Sequence, residues 1–323
     1  MKNIPDLKKI KKAHQRILPL INKTPVLTCS SLNEIIGAKL FFKCENFQKV
    51  GAFKFRGATN AVFSLSEEEA SRGVVTHSSG NHAAALALAA RNRGITARIV
   101  MPSNAPQVKK DAVKNYGGII TFCEPTLEAR ESTAAKIIEE TGATMIHPYN
   151  DYRIIAGAGT AALELVEEVP ELDYILAPVG GGGLLSGTAL SAKYTNPKIK
   201  VIAGEPKNAD DAFRSVKTGR IIPPENPVTI ADGLKTALGE KTFPIIQKFV
   251  DEIITVTEQE IIEAMRMIFE RMKIIIEPSS AVPFAVLLFT KLVVPGKRVG
   301  IILSGGNVAF EGFFNLMETR VKA

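Results

Sequence analysis

Lys54 stands between two aromatic residues in the stretch Gly51-Ala52-Phe53-Lys54-Phe55-Arg56-Gly57-Ala58. A primary amine flanked by Phe53 and Phe55 and held out of water is disfavoured as a cation, which makes it a nucleophile toward a carbonyl. The other reading is a lysine in the first turn of an amphipathic helix running to Leu65. Gly180, Gly181, Gly182 and Gly183 follow an apolar strand ending at Val179 and open a helix over 184–194. Backbone N–H groups of such a turn converge on an anion, and the helix dipole adds partial positive charge, so a phosphate is the natural guest. A dinucleotide-binding turn is the rival, with Glu205 after the next strand where that fold keeps its ribose acid. The spacing argues against it, because counting from Gly181 the third glycine of G-x-G-x-x-G falls on Ser186.

Two further turns share one layout. Ser78-Ser79-Gly80-Asn81-His82 lies between a strand and an alanine-rich helix, at the carboxyl end of a sheet, where α/β sites gather. Its helix start could hold a carboxylate, or its serine and asparagine could simply cap the helix. Ser304-Gly305-Gly306-Asn307 follows the apolar strand 299–303 in the same way.

Positioning these turns takes strands that end beside them. Apolar and β-branched runs predict strands at 39–45, 73–77, 97–101, 118–122, 143–146, 173–179, 199–204, 251–256 and 298–303, after an extended entry at 24–28. Helical patterns at 80–93, 106–116, 126–140 and 152–168 fit between them. Alternating strand and helix implies parallel sheets covered on both faces, an α/β protein. The segment 218–227, with Pro223, Pro224 and Pro227, reads as a surface loop rather than a domain linker.

The chain has 323 residues, enough for two domains or one large α/β unit. Its formal charge is +7, part of it in an early helix carrying Lys2, Lys8, Lys9, Lys11 and Lys12. That favours anionic small ligands or a solvated face, and no zinc-finger or aromatic RNA-binding motif accompanies it, so nucleic acid is not expected. Cys29, Cys44 and Cys123 form no C-x-x-C pair and read as free thiols of a reducing compartment. The apolar runs are too short for a signal-peptide core near 17–21 or a membrane span at 281–289. A cytoplasmic enzyme is the expectation.

Lys54 in G-A-F-K-F-R-G-A, then S-S-G-N-H, the four-glycine turn and S-G-G-N, in that order, resemble the fold-type II pyridoxal-phosphate enzymes, the tryptophan synthase β-like fold. Within them the chain is similar to the serine racemase and serine/threonine dehydratase group, which also shows the I-A-D-G stretch at 230–233 and the M-K-I-I-I-E-P stretch at 272–278. The resemblance implies two α/β domains, a large one from 1–68 and 151–323 and a small mobile one from 69–150, with the active site in the cleft. It implies that Lys54 holds pyridoxal 5′-phosphate as an imine and that Gly180, Gly181, Gly182, Gly183 and Leu184 hold the phosphate. Phe53 would pack beside the ring, Asn81 would bond the ring hydroxyl and Ser304 would face the ring nitrogen. A serine hydroxyl does not keep that nitrogen protonated, which favours β-elimination against reprotonation.

Ser78, Ser79, Asn81 and His82 are implied to bind a small hydroxy amino acid. Racemisation needs a proton donor or acceptor on each face of the α-carbon, and in racemases Ser79 is the proposed partner of Lys54. Threonine dehydratases carry alanine there, but 3-hydroxyaspartate dehydratases share this motif, so serine, threonine and 3-hydroxyaspartate are all candidate substrates. Ala52 stands where many relatives have serine. Glu205, the carbonyl of Ala209 and Asp211 resemble the group's divalent cation site, and oxygen-only ligands suit Mg²⁺, Ca²⁺ or Mn²⁺. His14, His77, His82 and His147 show no zinc spacing. The chain ends at Ala323, so a regulatory domain is not expected. A nucleotide effector near Lys49, Lys109 and Tyr116 and a homodimer are further implications.

Overall fold

The computed structural model describes residues 4–289, 292 and 294–318, so Lys2 of the expected basic helix lies outside the described residues. Among the described residues ten strands form: β1 (Val26–Leu27), β2 (Lys39–Cys44), β3 (Val74–His77), β4 (Ala97–Pro102), β5 (Ile119–Cys123), β6 (Thr144–Met145), β7 (Tyr174–Pro178), β8 (Lys200–Pro206), β9 (Glu252–Val256) and β10 (Arg298–Leu303). They make a six-stranded sheet in the order β1-β2-β10-β7-β8-β9 and a four-stranded sheet in the order β5-β4-β3-β6. Every pairing is parallel except β1 with β2. The central strands β7 and β10 are buried along nearly their whole length, as helices on both faces require, which is why they read as unbroken apolar runs.

The topology brings the chemistry together. β2, β10 and β7 are consecutive neighbours, so their carboxyl ends deliver the Lys54 loop, the Ser304 turn and the glycine turn side by side. β3 of the smaller sheet delivers residues 78–82 to the opposite wall. The loops after β2 and β10 also pair with each other: Phe53 N–H donates to Ser304 O at 2.9 Å and Gly306 N–H to Gly51 O at 2.9 Å.

The helix Lys54–Phe63 is buried on all sides from Phe55 to Val62, unlike the amphipathic helix its sequence suggests, because the core of the smaller sheet covers one face and the helix Tyr152–Glu168 another. This long helix also packs on Gly183–Thr195, the helix that the glycine turn opens. Contact is backbone to backbone: a Cβ on Gly157 would lie 2.7 Å from Arg56 O, and one on Gly187 would lie 2.5 Å from Gly159 N. The lysine helix and the phosphate-turn helix are thereby set against one rigid element.

Polar groups fix the rotation of the lysine helix. Arg56, fully buried, donates to both oxygens of Glu45 at 2.7 and 2.9 Å and to both oxygens of Glu164 at 2.7 and 2.8 Å. Lys43, also fully buried, donates to Glu164 at 2.7 Å and to Thr24 O at 2.7 Å. Two cations meet two anions, so no net charge is left in the core. Burial works against the charge on Arg56, but Glu45 and Glu164 outweigh it and hold its pKa above the usual range. Removing one member strands the others. Arg56→Ala is expected to cost about 3–5 kcal/mol, read as a lowered urea midpoint, and a loss below about 1 kcal/mol, the scale of an exposed pair, would show that the network does not hold the helix.

Candidate active site

Between the sheets lies a cleft of ≈ 420 Å³, within the range that holds small ligands. All of Phe53, Lys54, Ser78, Ser79, Asn81, His82, Ser304, the four glycines and Leu184 line it. Lys54 is the first residue of its helix, and its Nζ donates to Pro148 O at 2.9 Å and lies 5.1 Å from the centre of the Phe53 ring. Burial pulls the amine down to about 8, opposed by the carboxylate of Glu277. Phe55 takes no part in this: it turns into the core of the smaller sheet, where Lys49 lies over its ring. The expected pair of flanking aromatics is therefore one aromatic and one carbonyl, because consecutive residues on a helix point about 100° apart.

The glycine turn ends in Gly182, whose φ of +86° is left-handed backbone. A side chain there would also strike Ile246, Leu238 and Thr242 at 2.7–2.9 Å. The helix it opens has no side-chain cap, so its first-turn N–H groups, Leu184 among them, have neither a helical acceptor nor a capping oxygen. Tyr149 lies against this turn, since a Cβ on Gly181 would meet its ring at 2.4 Å. Across the cleft the helix Asn81–Arg93 likewise starts without a side-chain cap. The capping role open to Ser78, Ser79 and Asn81 is thus not taken. Ser78 Oγ accepts from Gly80 N–H at a long 3.4 Å, and Ser79 Oγ makes no hydrogen bond to a described residue.

His82 departs from its expected place as a substrate contact through its ring. The ring is buried, Nε2 lies 3.1 Å from Ile146 O, and burial lowers its pKa to about 3, so it is neutral and turned toward the 146–150 loop. What His82 offers the cleft is its first-turn N–H. His147 steadies the same loop, with Nδ1 accepting from Asn150 N–H at 3.0 Å and Tyr149 N–H at 3.3 Å, and burial lowers it to about 4.

Ser304 Oγ lies 3.0 Å from Ser280 Oγ. Asn81 Nδ2 donates to Glu277 and Asn81 Oδ1 accepts from Asn307 Nδ2 at 2.9 Å. Sequence reasoning assigned no role to Glu277, Asn307, Tyr149, Arg130 or the Lys109–Asp232 ion pair, which closes at 2.6 Å across the cleft. Signals existed for three of these residues, because Glu277, Asn307 and Asp232 sit inside quoted motifs. Tyr149 and Arg130 enter only through folding.

Away from the cleft, Glu205 accepts from the N–H groups of Ala212 and Phe213, both at 2.8 Å, and neither oxygen of the buried Asp211 has a partner. Burial pushes Glu205 up to about 8 and Asp211 up to about 7. Among the described residues no group of three or more His, Cys, Asp or Glu gathers for a metal, so a cation here would need carbonyls such as that of Ala209. The orphaned Asp211 oxygens fit that use. Lys49, Lys109 and Tyr116 each have partners inside the chain: Leu20 O, Asp232 and the Arg91 guanidinium. The three cysteines are free, and no helix among the described residues is long and apolar enough to cross a membrane.

The donor set of the cleft suits a phosphorylated aldehyde: a desolvated amine, an uncapped helix start after glycines, and Ser279 Oγ buried in the wall without a partner. Reaction of Lys54 with an aldehyde, followed by the growth of imine absorbance, is expected to speed up with pH and level off near 8. A rate still climbing toward the ordinary lysine value of 10.5 would show that the amine is not desolvated.

Comparison with known proteins agrees with this geometry. Residues 17–305 match the family described as "Pyridoxal-phosphate dependent enzyme". The chain is 53% identical to the beta-hydroxyaspartate dehydratase of Paracoccus denitrificans over 94% of this chain and 97% of that protein. It is 55% identical to the serine racemase of Dictyostelium discoideum over 97% of this chain and 98% of that protein. The structure of maize serine racemase superposes with a TM-score of 0.94 at 48% identity, covering 98% of this chain and 97% of that one. With a family match that takes in the lysine, the glycine turn and all ten strands, this chain belongs to the pyridoxal-phosphate dependent enzymes of fold type II.

Proposed function

We propose that this enzyme interconverts L- and D-serine and also eliminates water from serine to yield pyruvate and ammonia. The observation that carries the reading is a pair of proton-transfer groups on opposite walls of one cleft: Lys54 after β2 and Ser79, with its unengaged hydroxyl, after β3. Lys54 would hold the cofactor, the N–H groups of residues 180–184 its phosphate, Asn81 its ring hydroxyl and Ser304 its ring nitrogen, with Phe53 beside the ring. Pyridoxal phosphate, when bound, supplies the electron sink that lets the α-proton of an amino acid leave.

Lys54 Nζ takes that proton from L-serine on its own face. Ser79 Oγ returns a proton on the other face to give D-serine. If the β-hydroxyl departs first, with a proton, as water, hydrolysis of the released enamine consumes one water and gives pyruvate and ammonia. The first-turn N–H groups of Asn81 and His82 hold the substrate carboxylate. Residues 69–150 close over the substrate as a small domain, hinging beside the lysine helix.

One observation favours a second reading, dehydration of 3-hydroxyaspartate without racemisation. Arg130 lines the cleft with Nε on Thr126 O and no carboxylate partner among the described residues, so it can receive a second substrate carboxylate. A product assay separates the two. Wild type is expected to form D-serine and pyruvate from L-serine. Ser79→Ala is expected to lose D-serine formation and D-serine dehydration by about 10²-fold or more, the scale of a lost acid–base group, while still dehydrating L-serine. Undiminished D-serine formation in Ser79→Ala overturns the two-group reading, and turnover of 3-hydroxyaspartate alone moves the assignment to the dehydratase.

Glu205, Asp211 and the Ala209 carbonyl form a structural site for Mg²⁺, Ca²⁺ or Mn²⁺ in this reading, supported by the unpartnered Asp211 oxygens. The homodimer, the nucleotide effector near Lys49, Lys109 and Tyr116, and the cytoplasmic location belong to the same reading, the last supported by the free cysteines. Chelation is expected to lower the thermal midpoint of wild type, with recovery on adding Mg²⁺, and Asp211→Ala is expected to abolish that response. No change on chelation in either protein would leave the acids as an unmetallated turn.

A further inference from the structure

Glu277 is a buried acid at the cleft that the proton transfers above do not use. It precedes the helix Pro278–Phe289 on the side of the larger sheet, is 5% exposed, and receives Asn81 Nδ2 at 3.2 and 3.0 Å. The other end of the Asn81 amide meets Asn307, whose Nδ2 also donates to Val50 O at 2.7 Å. A continuous chain results: Val50 carbonyl, Asn307 amide, Asn81 amide, Glu277 carboxylate.

The Val50 carbonyl can only accept hydrogen bonds, and so can Glu277 once ionised. Val50 O fixes the Asn307 nitrogen toward itself, and the remaining N–H of that nitrogen points at Asn81 Oδ1. Turning the Asn81 amide over would set NH₂ against NH₂ at one end and C=O against carboxylate at the other. Asn81 Nδ2 carries two hydrogens and spends one on Glu277. The second is free to face the cleft.

We propose that Glu277, with Asn307, is a positioning residue that locks the polarity of the Asn81 amide, so that the cofactor's ring oxygen meets an N–H donor and never a carbonyl. A donor at that oxygen favours its deprotonated form. Surrounding structure is built to keep the chain intact. Gly305 leaves room for the acid, since a Cβ there would come within 3.0 Å of Glu277 Oε1. Val50 adopts φ 58°, which a β-branched residue rarely does and which turns its carbonyl to Asn307. Burial pushes Glu277 up to about 7, while the N–H groups of Asn81 and Asn307 pull it back.

This inference rests on the reading of Lys54 and Asn81 as cofactor residues, and its test is made without substrate, so it holds whichever reaction the enzyme performs. Pyridoxal phosphate is titrated into the apoprotein of wild type, Glu277→Leu, Glu277→Gln, Asn81→Ala and the Glu277→Leu/Asn81→Ala pair, and absorbance and affinity are read. In Glu277→Leu the visible band is expected to give way to one in the near ultraviolet, and affinity to fall about tenfold, the worth of one charge-assisted hydrogen bond. Glu277→Gln, which still offers Asn81 an acceptor, is expected to keep the visible band. The double variant is expected to be no worse than Asn81→Ala, because Glu277 acts through Asn81. If Glu277→Leu does not fold, by circular dichroism, Asn307→Ala removes the other anchor and is expected to give the same spectral change. An unchanged spectrum in the folded variant, or additive losses in the pair, overturns the proposal. A wild type without any visible band would instead overturn the role of Lys54.

Discussion

The ion pairs of Arg56 are the interaction on which the rest of the cleft depends. Arg56 is two residues beyond Lys54 on the same short helix, and its guanidinium spans Glu45, just after β2, and Glu164, on the long helix that also supports the glycine turn. Burying four charges is costly, and replacing such a set with apolar residues often leaves stability unchanged or improved. What an apolar set could not supply is direction. Bidentate contacts to two carboxylates fix both the rotation and the height of the lysine helix, and so the place where the ε-amine enters the cleft.

Given that anchor, the remaining geometry follows from sheet order. Three neighbouring parallel strands end at one edge, and each end turns into a segment with a distinct role: amine, anion-binding N–H groups, hydroxyl. The smaller sheet contributes the opposing wall. Across the open cleft the two walls are bridged by polar contacts, Asn81 to Glu277 and Asn307, Lys109 to Asp232, and Lys54 to the Pro148 carbonyl, while the lysine helix packs on the apolar core of the smaller sheet behind them. Polar bridges can be exchanged for ligand contacts at small cost in free energy, whereas an apolar seam could not. Burial makes Lys54 a better nucleophile and Glu277 a weaker acid, and the Glu277 carboxylate limits how far the amine is pulled down.

Much of this was legible in the residues. Parallel strands announce themselves as apolar runs of four to seven residues, and the turns after them carry the glycines and hydroxyls that chemistry at a strand end requires. Strand positions, the lysine and the three turns were readable for that reason. The helix Glu258–Met272 was not read, although Thr257-Glu258-Gln259-Glu260 carries a capping box that the structure forms. The run at 281–289 was read only as too short for a membrane. It belongs to the helix Pro278–Phe289, buried on all sides as far as Leu287, where periodicity vanishes and a proline at 283 discourages the assignment. Side-chain direction was the other blind spot: Phe55 and His82 flank functional positions in sequence yet point into the core. Glu277 and Tyr149 act through partners more than a hundred residues away or across the sheet, which no local pattern encodes.

The central claim is that the amine presented by this scaffold, and no other, carries pyridoxal phosphate. Borohydride reduction of the loaded protein, followed by digestion and mass spectrometry, tests it at the level of a single residue. The label is expected on the peptide containing Lys54 at one equivalent per chain, with Lys54→Ala left colourless and unlabelled at equal cofactor concentration. Label spread over other lysines, or a coloured Lys54→Ala protein trapped with equal yield, would contradict the account.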